Sequence, residues 1–355
     1  MGKAASTGKI ARVKTDTVFS IWSPLALIRV ENSQWSPAFY EQALKSSASQ
    51  AQIEVLCTSN TQKNISMDDI PRLTLTRPPH EEQKSIASFL DQETAKIDAL
   101  IAEQERLIEL LQEKRQAVIS HAVTKGLNPN TPMKDSGVKW LGEVPEHWEV
   151  VQLKRLCNDI ADGPHFSPNY VDDGVLFLSA RNIKVDGWSL SDAKYISHED
   201  CNEFDKRIVP EAGDVLYTKG GTTGIAKAVD LEVRFQVWVH VAVLKIKKSL
   251  SDPFFTAFTL NSTGSYEQSQ LYTRGATNQD LGLTRMAKIL VALPPLEEQR
   301  TIRDHLQKSC KDLDTHIELA QRSISLLVER RSALISAAVT GQIDVRGLVA
   351  EEEMP

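Results

Sequence analysis

Two stretches of the chain hold a helical period without a break. Residues 78–124 read PPHEEQKSIASFLDQETAKIDALIAEQERLIELLQEKRQAVISHAVT, and residues 294–340 read PPLEEQRTIRDHLQKSCKDLDTHIELAQRSISLLVERRSALISAAVT. In the first, Ile86, Leu90, Ile97, Leu100, Leu107, Leu111 and Val118 fall on a or d of a heptad, with Ile101 and Ile108 beside them. In the second, Ile302, Leu306, Leu313, Leu327 and Leu334 take the same places, flanked by Ile317 and Ile324. Paired prolines cannot sit inside a helix, so Pro78-Pro79 and Pro294-Pro295 mark the starts. The period predicts two coiled-coil helices, each about 65 Å long at 1.5 Å per residue. The domain between them lets the chain return, so the pair is expected to be antiparallel. Polar residues interrupt the seam: Glu93, Gln104 and Lys114 in the first, Ser309, His316, Ser323 and Arg330 in the second. Such positions fix register at a cost in stability, or mark places where the helices splay.

The two stretches are copies at an offset of 216 residues, with 21 of 47 positions identical and no gap. The offset continues upstream: Thr7-Gly8 falls on Thr223-Gly224, Trp22 on Trp238, Ala26 on Ala242, and Thr61 on Thr277. Ser36-Pro37 falls on Asp252-Pro253, and each reads as a capped helix start with proline in the first turn. Residues 1–77 therefore read as the second half of a domain whose complete copy is 138–293. Nothing in the first copy corresponds to residues 125–216.

Between the helices the pattern changes. Asn128-Pro129-Asn130-Thr131-Pro132 is a breaker cluster that closes the first helical region. Short apolar runs then alternate with turn residues: Val175–Leu178, Val215–Thr218, Val237–Ile246 and Ile289–Leu293. The fold class is α+β: mixed α/β domains joined by two long antiparallel coiled-coil helices, with an internal repeat at offset 216. The expected organisation is a partial first domain over 1–77, a first long helix over 78–126 and a linker over 127–137. A complete second domain follows over 138–293, then a second long helix over 294–341 and an acidic tail over 342–355.

Composition removes several classes. The hydrophobic fraction of 41% and charged fraction of 25% are those of a soluble globular protein. No apolar run is long enough to span a bilayer, and the N-terminus lacks a secretory apolar stretch, so a membrane partner is not expected. Cys57, Cys157, Cys201 and Cys310 lie far apart with no CxxC, which argues against a disulfide framework or zinc site and for a reducing cytoplasm. The chain contains no Walker A motif, no HExxH and no G-x-S-x-G. Ser167-Pro168-Asn169-Tyr170 is a poor match to the motif with which amino-methyltransferases hold a base. Lys219-Gly220-Gly221-Thr222-Thr223-Gly224 lacks the Lys-Ser/Thr of a nucleotide cradle, and better suits a loop bringing backbone N–H groups and a lysine to a DNA phosphate.

Together, the PPLEEQ-helix-ISAAVTG block, its earlier twin, SGVKWLGEVPEHWEV and Asp162-Gly163-Pro164-His165 resemble the specificity subunits of Type I restriction–modification systems. The resemblance covers essentially the whole chain. It implies two target-recognition domains, each reading one half of a split sequence in double-stranded DNA. It implies helices that space those halves and dock modification subunits. It implies no catalytic residue, no metal and no cofactor in this chain; S-adenosylmethionine, ATP and Mg belong to partner modification and restriction subunits. The W-L-G-x-x-P-x-x-W-type segment that normally precedes the first recognition domain occurs here once, at 140–148. Recognition by residues 1–77 is therefore expected to be defective or altered, with a second copy or another polypeptide completing that half.

The net charge of −6, and 16 Lys/Arg against 19 Asp/Glu over residues 145–293, mean that binding needs a local cluster together with phosphate contacts from partner subunits. Candidate DNA contacts are Lys219, Gly220, Gly221, Thr222, Thr223 and Lys227 on the glycine loop, Arg181, Asn182 and Lys184 after the Phe177 strand, and His165. Arginine and asparagine have the shape for bidentate pairing with guanine and adenine. Each also reads as a solvated charge or structural turn. Candidate partner-subunit contacts are Glu81, Glu82, Gln83 and Arg115, with their twins Glu297, Glu298, Gln299 and Arg331. Helix-dipole complementarity explains the glutamates equally well. A coiled-coil scaffold that binds protein alone is the competing reading, and a methyltransferase fused to its reader is the less favoured one.

Overall fold

The computed structural model describes residues 1–30, 34–57, 63–274 and 280–348. Thr61 and Thr277 of the repeat, and the tail beyond Leu348, lie outside the described residues. The chain forms two compact units: Met1–Glu109 with His316–Pro355, and Leu110–Thr315. The division cuts both long helices, α3 (His80–Lys125) and α8 (Leu296–Val339), so each unit contains a part of both.

The second unit is mixed helix and sheet. Its central antiparallel sheet has the order β4 (Cys157–Asp162), β11 (Val241–Ile246), β8 (Val215–Thr218) and β9 (Ala226–Ala228). A second sheet has the order β10 (Phe235–Val237), β6 (Val175–Leu178), β7 (Lys194–Ile196) and β5 (Tyr170–Val171), with β10 and β6 parallel. Two smaller pairs join β1 (Met133–Asp135) to β2 (Glu143–Pro145), and β3 (Glu149–Gln152) to β12 (Leu290–Leu293). Strand β11 reads Val-Ala-Val-Leu-Lys-Ile, apolar on both faces, because two cores sandwich it. Ala242, Leu244 and Ile246 face one core with Tyr217 and Val291, and Val241 and Val243 face the other with Leu178 and Val237. The single apolar run expected over Val237–Ile246 divides at residues 238–240. A turn there, with Val241 N–H donating to Trp238 O, carries the chain from one sheet to the other.

Helix α5 (Pro253–Leu260) starts where the proline pattern places it, capped by Asp252, and α6 (Thr263–Tyr272) follows, capped by Ser262. In the first unit α1 (Pro37–Lys45) and α2 (Ser47–Leu56) stand 216 residues earlier, capped by Ser36 and Ser46. Each such cap is worth about 1 kcal/mol. Buried Gln83 accepts from Ser36 N–H at 2.8 Å and donates to Pro78 O at 2.9 Å; Gln299 accepts from Asp252 N–H at 2.9 Å and donates to Pro294 O at 2.9 Å. Ser47 N–H donates to Ser336 Oγ at 2.9 Å, as Thr263 N–H does to Ser120 Oγ at 3.0 Å. Residues 1–77 contain no strand among the described residues, only the bridges Gly2–Leu25 and Ala4–Asn64. This departs from the mixed α/β expectation for the first domain. The complete copy takes its strand partners β3 and β4 from a segment that residues 1–77 do not repeat.

Where the helices meet within each unit they run antiparallel. In the second, Ile119, Ala122 and Val123 pack with Ile302, Leu306 and Cys310; in the first, Ile86, Ala87 and Leu90 pack with Ile335, Ala338 and Val339. Helix α3 ends at Lys125, before Gly126 at φ +75°, two residues ahead of the Asn128 breaker cluster.

Candidate nucleic-acid interface

The glycine loop connects β8 to β9, and its lysine does not face solvent. Lys219 is buried, with Nζ 2.9 Å from Asp280 Oδ1 and 3.3 Å from Asp162 Oδ2. The loop's path is held by backbone bonds from Lys219 N–H to His240 O and from Leu281 N–H to Lys219 O. A cation already flanked by two carboxylates is a poor phosphate ligand, which corrects the role expected for Lys219. Gly220 is buried against the His240 ring, and Thr223 is buried with its hydroxyl unpartnered among the described residues. Gly221 and Thr222 are exposed and form the tip. Lys227 lies 5.7 Å from the centre of the Trp188 ring and 4.0 Å from Asp230, away from the tip residues in its partners.

Asp162, at the end of β4, gathers these loops. Its buried carboxylate also meets Arg207, whose Nε donates to Asp162 O at 2.8 Å, and lies 3.5 Å from His165 Nε2. His165 itself is exposed and reaches Arg207 at 3.4 Å. Gly163 is required because the chain passes directly over the Val237 carbonyl, where any Cβ would collide. The Asp162–His165 motif is thus first a structural hub, with one exposed ring at its rim.

Two exposed cations lie between β6 and β7. Arg181 and Lys184 are exposed and have no side-chain partner among the described residues. Asn182 is buried as a cap: its Oδ1 accepts from Ser179 N–H and Oγ–H at 2.8 Å, and its Nδ2 donates to Ser189 O at 2.8 Å. With those groups spent, it cannot pair bidentately with an adenine, which corrects its expected role. Arg181 opens onto a 30 Å³ hollow shared with Tyr170, Asp192, Lys194 and Trp238. Lys194 Nζ sits 4.6 Å from the Tyr170 ring centre. Such a hollow admits a water-sized group and excludes an extruded base. Tyr170, Lys194 and His240 were missed in the sequence, where an isolated tyrosine or lysine on a short strand carries no signal.

The helix-start residues separate into two sets. Glu81 pairs with Lys84 and Glu297 with Arg300, each one turn on, and Glu82 is exposed, so these three face outward. Glu298 instead accepts from Trp148 Nε1 at 3.1 Å and lies 2.8 Å from His147 Nε2. Gln83 and Gln299 are spent as described above. Arg115 lies 3.3 Å from Asp314, and Arg331 lies 3.1 Å from Asp98, at the same offset of 216. Both pairs join α3 to α8 within one unit. Among the described residues there is no cluster of metal-ligating side chains and no helix long and apolar enough to cross a membrane. Burial pushes the Cys157 thiol up to about 12, so it is no nucleophile.

The model for the Type I restriction modification DNA specificity domain matches residues 26–110 and 145–323, and the chain belongs to that family. It is similar to the Type I restriction enzyme MjaVIII specificity subunit of Methanocaldococcus jannaschii, 25% identical over 87% of this chain and 70% of that one. It is also similar to the Type I restriction enzyme EcoBI specificity subunit of Escherichia coli, 23% identical over 89% of this chain and 68% of that one. Among solved structures, a chain from work on complex assembly and conformational transition of the type I R-M system shares the fold. The TM-score is 0.68 at 17% identity, covering 89% of this chain and 74% of that one.

Proposed function

We propose that this chain is the DNA-specificity subunit of a Type I restriction–modification complex. The observation that carries this reading is the match of one DNA-specificity family across both copies of the repeat. Residues 138–293 read one half of a split target. Arg181, Lys184, Thr222 and His165 are the contacts proposed from the expected set, joined by Lys194, Tyr170 and His240. The antiparallel coiled coil formed by the 216-residue repeat spaces the halves and docks modification subunits, with exposed Glu81, Glu82 and Glu297 facing them. Those subunits supply S-adenosylmethionine chemistry, and restriction subunits supply ATP and Mg chemistry. Residues 1–77 match the second half of a recognition domain.

Methylome sequencing of cells carrying this chain with its modification subunit tests the reading. A split adenine-methylated motif is the expected result. No motif, together with no sequence-selective DNA retention by the assembled complex, would leave the scaffold reading in its place.

A further inference from the structure

Between β6 and β7 the chain forms a hairpin with Lys184 at its tip. Ala180–Asn182 make one turn of 3-10 helix, Ile183 bridges Trp188 antiparallel, and Lys184 N–H donates to Gly187 O at 3.1 Å. Ser189 N–H donates to Asn182 O at 2.9 Å and Asn182 Nδ2 donates to Ser189 O at 2.8 Å, which closes the base. Lys184 and Asp186 are exposed. A lone two-stranded hairpin is marginal in water, so what fixes this one lies at its base.

Two residues anchor it. On the outgoing strand Ile183 is fully buried among Leu178, Val229 and Val237. On the returning strand Trp188 is half-buried, and its Nε1–H donates to Asp230 Oδ1 at 2.7 Å. Lys227 Nζ lies 5.7 Å from the centre of the same ring and 4.0 Å from Asp230 Oδ2. Asp230 follows β9 and is held in its turn: its buried neighbour Val229 donates N–H to Asp214 O at 2.8 Å and accepts from Gly213 N–H at 2.9 Å. The indole bond therefore ties the returning strand of the hairpin to the central sheet.

The charge of Asp230 needs a reason. Its side chain is 46% exposed in a net acidic domain that must approach phosphates, where a further carboxylate opposes binding. A charged acceptor makes the shorter and stronger bond to the indole, and Lys227 offsets part of its charge. The tip so steadied offers an ammonium and a carboxylate, a donor beside an acceptor. Phosphate repels the carboxylate, whereas base edges present partners for both, and the major groove admits a two-stranded ribbon.

We propose that Asp230 is a positioning residue for DNA recognition: through Trp188 it aims the Ile183–Trp188 hairpin into the major groove of one half-site, resting on the role of residues 138–293 as a DNA reader.

The test uses the full chain assembled with its modification subunit. One duplex carries the methylome motif, and a second has both half-sites scrambled. Asp230→Ala and Asp230→Asn remove the same charge, but only asparagine keeps an acceptor for the indole. In methyl transfer, Asp230→Ala should raise KM for the motif duplex about tenfold, the scale of one charged hydrogen bond, with kcat unchanged. Asp230→Asn should stay within about threefold of the unaltered chain. Trp188→Phe keeps a ring and removes the donor, so it should match Asp230→Ala, and the double variant should be no worse than either. Fluorescence anisotropy should show undiminished binding of the scrambled duplex throughout. Equal behaviour of the alanine and asparagine variants, additive losses, or a parallel loss on both duplexes would overturn the proposal. Tighter binding of both duplexes by both Asp230 variants would also overturn it, by marking a surface charge. Should Trp188→Phe fail to fold, the comparison of alanine with asparagine still decides. A silent methylome removes the DNA-reading role and this proposal with it, whereas a normal motif with indifferent variants removes this proposal alone.

Discussion

Single residues show how much of the chemistry is spent on building the reading surface. Asp162 is buried and shared by Lys219, Arg207 and His165. Removing its charge leaves Lys219 to Asp280 and takes the carboxylate from Arg207, so Asp162→Asn should lower stability by roughly 1–3 kcal/mol, the usual cost of weakening buried charged hydrogen bonds. Chemical denaturation of the purified chain measures it, and an unchanged midpoint would refute the hub. The thiols give a second expectation. Cys157, Cys201 and Cys310 are buried and Cys57 is half-buried, so alkylation at mildly alkaline pH should label Cys57 first. The raised Cys157 value has a defined sign: the folded state prefers the neutral thiol, with a value of about 12 against an ordinary 9.0. Its contribution is fully present below about pH 9 and is lost as pH rises toward 12. Substituting Cys157 by Ala should therefore flatten the alkaline end of the stability–pH curve.

Elements show a repeat in which each helix start is held by a glutamine. Gln83 and Gln299 satisfy the backbone of a neighbouring helix cap as well as their own proline turn. Replacement by leucine leaves buried N–H and C=O groups unpaired, at about 1–3 kcal/mol each. Gln299→Leu should lower the melting temperature of the chain, and Gln83→Leu likewise, if both bonds act as drawn. The ion pairs between helices belong to a weaker class. Arg331 and Asp98 are substantially exposed, and a double-mutant cycle should return about 0–1 kcal/mol. Arg115 is more enclosed, and its coupling to Asp314 should be the larger of the two. A reversed order would mean that solvent exposure does not govern these pairs.

For the whole molecule, charge decides how DNA can be held. Residues 145–293 are net acidic, with 16 Lys/Arg against 19 Asp/Glu. Lys219 and Lys245 are neutralised by neighbouring carboxylates. With a net negative domain and these lysines neutralised, the isolated chain should bind its target weakly and with a shallow salt dependence. Adding modification subunits should raise both affinity and slope, as gel-shift titrations at several salt concentrations would show. In that complex Arg181→Ala should cost about 1–3 kcal/mol on the cognate duplex and relax specificity at one position. Lys184→Ala should weaken all duplexes alike if it contacts phosphate. Equal losses on every sequence for Arg181→Ala would remove it from base reading.

The long helices and the caps at Ser36 and Asp252 were legible from the chain itself, because local periodicity and proline placement act over a few residues and need no distant partner. The division of Val237–Ile246 between two sheets was not, since strand pairing joins residues far apart in the chain. The same holds for the binding surface. Lys219, Asn182 and Arg115 have the side chains a DNA or subunit contact needs, and tertiary neighbours spend each of them internally. Arg181, equally plain as a letter, stays exposed and has no ion pair among the described residues. Periodicity is written in adjacent residues, whereas availability of a charge depends on which distant groups the fold brings within a few ångströms.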